Sequence, residues 1–160
     1  MQTLALSDIG SKVATALATS VEIDDWCQTK YDKSLTVYHG WNVRKPPTIE
    51  ACPSAMVLPG SKIEGDEQSE NHYSIRLHWA VMNEEMTTDD TTGVNTYTGA
   101  VEVDELGQLF LAELAELSQG WPISRADYNI DTQDRFPQFT GTLDIDWLIP
   151  VIIGGGNPVF

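Results

Sequence analysis

The chain has 160 residues, of which 41% are hydrophobic and 21% charged, so it has the size and composition of one folded domain and is too apolar to be disordered. Nine Lys and Arg residues stand against 24 Asp and Glu residues, which gives a formal net charge of −15 with histidine neutral. A field of this sign repels the phosphate backbone and excludes a protein that binds duplex nucleic acid through its charge.

The two cysteines, Cys27 and Cys52, are too few for a disulfide framework, and no other Cys or His stands at the spacing of a zinc site. We interpret both as small buried or semi-buried residues in a reducing compartment. The N-terminus carries no basic segment of the kind that opens a signal peptide, and no apolar run approaches the roughly 20 residues of a membrane span. The sequence therefore predicts a soluble protein that is not exported and has no membrane partner.

The first predicted element is a helix over residues 7–19. Ile9, Val13 and Leu17 recur at the spacing of one helix face, which indicates an amphipathic helix with one buried side. The residues that follow show no clear period. Residues 35–39 then predict a strand.

Prolines and acidic residues organise the next part of the chain. Residues 42–54 contain three prolines and predict a connection, and residues 54–58 predict a short apolar strand that Pro59 and Gly60 stop. The run 61–71 is almost entirely polar and acidic. It predicts an exposed loop.

The clearest strand covers residues 73–81, where large apolar side chains alternate with polar or small ones, so that one face belongs to the core. The polar, turn-rich residues 83–95 carry the chain away from the sheet. A second helix is predicted over residues 100–119, because Gly120 and Pro122 stand where a helix ends. Its apolar stripe consists of Val103, Leu106, Phe110, Leu114 and Leu117.

Residues 125–131 and 139–149 predict an antiparallel hairpin that closes a single domain of residues 1–150. Residues 151–160 predict a flexible tail that can order against a neighbour. The fold class is therefore α+β, in the order α-β-β-β-α-β-β, with a mainly antiparallel sheet and two helices packed on one face. The uncovered face of the sheet is polar and carries Arg76, His78, Asp127, Asp144 and Asp146.

Asp144 and Asp146 are the strongest catalytic candidates, because carboxylates two positions apart on a strand point to the same side and can hold a divalent cation. Alternating strands carry charged residues at such positions in any case, which favours a structural interpretation. His39, His72 and His78 stand singly, and no nucleophile motif accompanies a Ser or Cys. We therefore predict no catalytic residue, no metal and no cofactor.

Six short segments, taken in chain order, have the character of corresponding segments in one known family. They are Tyr38–Trp41, Pro53–Leu58, Ser61–Asn71, Ser74–Val81, Val103–Leu106 and Leu143–Trp147. Their layout resembles the tail-terminator (tail-completion) proteins of tailed phages, in which a short helix precedes a strand, a proline-led strand, an acidic loop, a long strand, a helix and a hairpin. The likeness covers about residues 5–150 and is one of layout rather than of a diagnostic motif.

The resemblance implies a structural virion protein without enzymatic activity, assembled in the host cytoplasm. Such a protein forms a hexameric ring that caps the tail tube, ends its polymerisation and joins the tail to the head-completion (neck) proteins, while DNA passes through without specific binding. A cyclic ring uses heterologous contacts, for which we expect exposed loops, sheet edges and the scarce arginines. The predicted interface residues are Glu64, Asp66, Glu67, Glu70, Arg76, Arg125, Arg135 and Phe160.

Three other interpretations stay open on the sequence alone. The chain could be a different neck component, such as a stopper or an adaptor. It could be an acidic metal-dependent hydrolase that uses Asp144 and Asp146. It could also be an inhibitor that mimics DNA, since a charge of −15 on a small domain can imitate phosphate.

Overall fold

The computed structural model describes residues 5–40, 42, 44–64, 70–117, 122–131 and 135–150. The α-helices are α1 (Leu6–Thr19), α2 (Val21–Tyr31) and α3 (Thr98–Leu117). A short 3₁₀ helix covers Ile49–Ala51. The strands are β1 (Thr36–His39), β2 (Ser54–Ile63), β3 (Glu70–Met82), β4 (Met86–Thr88), β5 (Asn95–Tyr97), β6 (Ile123–Asp131) and β7 (Gln138–Pro150).

Five strands form the main sheet in the order β1-β2-β3-β7-β6, and β4 and β5 form a separate two-stranded sheet. Only β1 and β2 are parallel among these pairs; the others are antiparallel, including β6 with β7. This arrangement confirms the α+β class, the mainly antiparallel sheet and the closing hairpin. None of the helices in the described part of the chain is long and apolar enough to cross a membrane.

Three parts of the chain differ from the prediction. Residues 83–95, predicted as a polar connection, contain β4 and the first residue of β5. Helix α2 occupies a stretch in which the sequence shows no clear period, because only Ile23 and Cys27 of its residues are buried. Strand β2 does not stop at Pro59 but continues to Ile63, with a shift in register between Pro59 and Lys62. Such an irregularity accommodates a residue without an N–H group in a strand. The predicted 61–71 loop is shorter as a result, and its residues 65–69 lie outside the described part.

The core lies between the helices and one face of the sheet. Helix α1 packs on β1 and β2, and α3 packs on β3 and β7. The predicted helix stripe is confirmed at Val103, Leu106, Phe110 and Leu114, which are all fully buried, and the alternation of β3 is confirmed as well. The residues of β3 that point into the core are Tyr73, Ile75, Leu77, Trp79 and Val81.

Trp79 occupies the centre of this core and is fully buried. Its indole Nε1 donates a hydrogen bond of 2.8 Å to the carbonyl oxygen of Val103, which satisfies the one polar atom of the ring. The ring makes an edge contact with Phe110 at 5.6 Å between centroids. Gly107 of α3 and Gly141 of β7 lie against it so closely that a Cβ atom at either position would overlap the ring. The backbones of α3 and β7 therefore both rest on the indole.

The buried carboxylate of Glu102 links α3 with α2 and with the end of β3. Glu102 of α3 has a relative exposure of 4% and accepts hydrogen bonds from the hydroxyl of Tyr31 at 2.6 Å and the amide of Asn83 at 2.8 Å. The Nζ atom of Lys30 lies 3.9 Å from its other oxygen. A buried charge is tolerated only when it is paired and hydrogen-bonded, and these three partners meet that requirement. The cluster fixes α2 and the end of β3 to the first turns of α3.

We predict that Gly141→Ala lowers the free energy of unfolding by about 1–3 kcal/mol, the usual cost of overpacking, because the added methyl group collides with the Trp79 ring. Urea denaturation of both chains measures this change in the free energy of unfolding. Asn129→Ala, on the exposed side of the neighbouring strand, is the control and should change stability by less than about 0.5 kcal/mol. In a Trp79→Phe background, Gly141→Ala should lower the free energy of unfolding by a smaller amount. An equal loss in both backgrounds would contradict the role given to the indole.

Candidate interface surfaces

The face of the sheet turned away from the helices carries a band of charged side chains. The register places Arg76 of β3 opposite Asp144 of β7, and places Asp127 and Arg125 of β6 opposite Asp144 and Asp146. Because successive strand residues point to opposite faces, these side chains all lie on the polar side. The predicted polar face is therefore confirmed, and Arg76 and Arg125 are two predicted interface residues that the fold brings together.

Both arginines are engaged by carboxylates of their own chain. Arg76 binds Asp144 through two parallel hydrogen bonds, with Nε to Oδ1 at 2.6 Å and Nη2 to Oδ2 at 2.8 Å. Arg125 donates to Asp127 at 2.6 Å. The hydrogen bonds from Arg76 hold the pKa of Asp144 below its ordinary value, and the same contact raises the pKa of Arg76. Both pairs are more than a third exposed to solvent, so each contributes little to stability.

The charged band borders an open groove of about 500 Å³ that is lined by residues of β2, β3, β6 and β7. Its charged lining consists of two arginines and three aspartates, which leaves one negative charge, so the groove does not select an anion such as phosphate. Asp144 and Asp146 share this groove as predicted from their spacing, but both oxygens of Asp144 already accept hydrogen bonds from Arg76. Within the described ranges, no group of three His, Cys, Asp or Glu side chains is placed to hold a metal ion.

His78 lies half-buried on the same face. Burial lowers its pKa, and the positive charges of Arg135 and Arg76 lower it further. The imidazole is therefore neutral at pH 7, since its ordinary pKa of 6.5 is already below that pH. Arg135, a third predicted interface residue, lies in the connection between β6 and β7, and its charge affects His78 on the polar face of the sheet.

Both cysteines are buried and free, as predicted. Burial, followed by the negative charge of Asp24, raises the pKa of the Cys27 thiol to about 12. Burial likewise raises the pKa of Cys52, whose Sγ atom accepts a contact from Gln138 at 3.8 Å. Thiols that stay protonated are poor nucleophiles, so both cysteines serve as packing residues.

The acidic residues predicted for the interface fall into two groups. Glu64 pairs with Lys62 at 2.9 Å and accepts a hydrogen bond from Tyr73; its side chain is 15% exposed, which leaves little of it for a partner. Glu70 is exposed at the start of β3. Asp66, Glu67 and Phe160 lie outside the described residues.

Met86, Tyr97 and Phe136 form an exposed apolar surface that the sequence did not predict, and we call it the Tyr97 patch. Their relative exposures are 51%, 47% and 54%. Met86 stands directly opposite Tyr97 in the β4–β5 pair, and the rings of Tyr97 and Phe136 touch edge to face with 5.5 Å between centroids. Single exposed apolar residues are normal, whereas three in contact form a surface that water solvates poorly. These three apolar residues stand in segments that otherwise predict polar loops, and this contrast is the one indication of the patch in the sequence.

Comparison with known proteins adds little to this description. No family model matches the chain, and no curated protein matches it. One solved structure aligns with 94% of this chain and with 100% of its own, at 13% sequence identity and a TM-score of 0.39. Similarity at this level carries no inference about function.

We predict that Arg76→Gln raises the pKa of the Asp144 carboxyl group toward its ordinary value of 3.8, because the substitution removes the hydrogen bonds that favour the carboxylate. A carboxyl NMR titration reads this pKa directly. Since the folded pKa is the depressed one, the stabilisation by the pair is present above the unfolded pKa and disappears as the pH falls through the folded value. Lys12→Gln, which removes the same charge from α1 on the other side of the sheet, should leave Asp144 unchanged; an equal shift in both variants would refute the assignment.

Proposed function

We propose that this chain is an assembly subunit that forms a ring at the top of a phage tail tube, ends the polymerisation of the tube and joins it to neck proteins. The observation that carries the proposal is the Tyr97 patch, an exposed apolar surface on a domain with a net charge of −15. Strongly charged copies repel one another, so a contact between them needs apolar area that contributes free energy without charge. A self-assembling subunit requires such a surface.

The layout of the elements also supports this proposal. The helix, the proline-led strand, the long β3 strand, the α3 helix and the closing hairpin occur in the order on which the resemblance to tail-terminator proteins rests. Fold alone does not assign a function, so this order supports the proposal only together with the surface.

The polar face suits the lining of a passage for DNA. Its arginines are engaged by aspartates of the same chain, and the groove beside them retains a negative charge. Such a surface repels the phosphate backbone and offers it no free cationic contact among the groove residues. DNA would therefore move past the ring without adhering to it.

We predict that tail tubes assembled with this chain have one uniform length, whereas tubes assembled without it are longer and variable. Electron microscopy of tubes polymerised from the tail-tube protein, with and without the chain, measures the lengths, and native mass spectrometry measures the ring, for which six copies are expected. Unchanged tube lengths would exclude a terminator. A ring that binds the neck complex but leaves the tube unaltered would instead assign the chain to a stopper or adaptor.

We also predict that salt strengthens association between copies. Ionic strength of about 0.5 M shortens the screening length well below the ~10 Å of 0.1 M salt, which weakens the repulsion between acidic subunits but leaves an apolar contact intact. Sedimentation at several salt concentrations should show that the dissociation constant for association between copies falls as the salt concentration rises. If ion pairs of Arg76, Arg125 or Arg135 formed the seam, the constant would rise instead, and replacing all three arginines by Gln would abolish the dependence.

A further inference from the structure

The Tyr97 patch lies at one end of the main sheet. Phe136 stands two residues before the start of β7, and Met86 follows closely on the end of β3, whose Met82 pairs with Gln138. The backbone N–H of Asn83 donates to the carbonyl of Pro137 at 3.1 Å, and that of Thr98 donates to Glu85 at 3.0 Å. These hydrogen bonds tie the hairpin, the start of α3 and the Phe136 connection together, so the patch is a preformed surface.

Residues 151–160 begin at the opposite end of the sheet, where Pro150 pairs with Glu70. Their sequence is Val-Ile-Ile-Gly-Gly-Gly-Asn-Pro-Val-Phe, which contains five large apolar side chains and no Asp, Glu, Lys or Arg. On a domain of charge −15, this segment meets the least electrostatic repulsion from another copy.

We propose that the Tyr97 patch of one copy is the docking surface for residues 151–160 of a second copy. This inference rests on the proposed function in one respect, namely that copies of the chain associate. It goes further in naming the two surfaces that meet and the direction of the contact, which runs from the end of one sheet to the opposite end of the next.

The length of β7 favours a contact between copies over a contact within one copy. β7 has 13 residues, and at about 3.3 Å per residue it separates Pro150 from the patch by about 40 Å. Ten extended residues reach at most about 33–36 Å, and some of them have to lie on the patch itself. To reach the patch of their own copy, residues 151–160 would have to be fully extended along the whole of β7, whereas the patch of a neighbour is under no such limit.

The direction of the contact also fits a closed ring. A patch that paired with the same patch of another copy would form an isologous dimer and stop there. A contact between two different surfaces leaves one of each free at the ends of the growing oligomer, and a rotation between copies closes it. The Tyr97 patch is a different part of the chain from residues 151–160, which follow Pro150 at the other end of the sheet, so the proposed contact is heterologous.

The test uses two variants that each lack one surface. Met86→Asp places a charge in the patch at an exposed position, and a chain that stops after Pro150 lacks the segment. Val21→Asp is the matched control, since it adds the same charge to a residue with 72% exposure near the start of α2. Circular dichroism establishes that each variant is folded, and Tyr97→Asp replaces Met86→Asp if that variant does not fold.

We expect each single-surface variant to associate at least about tenfold more weakly than the full chain in sedimentation equilibrium, while Val21→Asp associates normally. Mixed in equal amounts, the patch variant and the shortened chain still possess one intact segment and one intact patch. They should form a one-to-one dimer and nothing larger.

Two results overturn the proposal: a shortened chain that assembles as well as the full chain, or a mixture that forms no dimer. A full chain that stays monomeric at every concentration overturns it as well. Its failure is separable from that of the proposed function. If the full chain gives tubes of uniform length but the shortened chain still assembles, only the docking proposal is refuted. If the mixture forms the dimer but the chain leaves tube length unaltered, only the terminator function is refuted.

Discussion

The fold depends on the placement of one side chain, the indole of Trp79. The ring lies in the middle of β3 and touches elements from both halves of the chain, because its Nε1 bonds to Val103 and its face and edges meet Phe110 and Tyr128. A bicyclic ring fits between a helix and a sheet only if the backbones beside it carry no Cβ atom. Gly107 and Gly141 meet that condition, so they fix where α3 rests on the sheet.

The exposed surfaces follow from this internal constraint. Once α3 is positioned on the sheet, its first turn lies beside the end of β3, and the Glu102 cluster holds it there through Tyr31 and Asn83. Tyr97 directly precedes α3, so the position of the helix also sets the position of the Tyr97 patch. A surface held in this way loses little conformational entropy when it binds, which increases the affinity available from a small apolar area.

The sequence predicts those parts of the fold that depend on local pattern. The alternation of β3 and the stripe of α3 each run over many residues, and they were sufficient for the α+β class. Helix α2 was not predicted because only Ile23 and Cys27 are fully buried, while Trp26 and Tyr31 on the same side are partly buried aromatic residues with polar atoms. The remaining features are tertiary. Arg76 and Asp144 are 68 positions apart, and their pairing depends on strand register, which periodicity does not supply.

The same limit explains why the sequence did not predict the Tyr97 patch and did not show which of the predicted interface arginines are paired within the chain. In a chain with nine basic residues, arginine is the natural candidate for contacts between copies, yet Lys30, Lys62, Arg76 and Arg125 all form ion pairs within the chain. Breaking such a pair to make another across an interface gains little, because one exposed ion pair replaces another. The acidic field of each copy then stays uncompensated, and it disfavours every approach except one that brings uncharged surfaces together. In the association that we propose, charge restricts how copies can meet and apolar contact supplies the attraction.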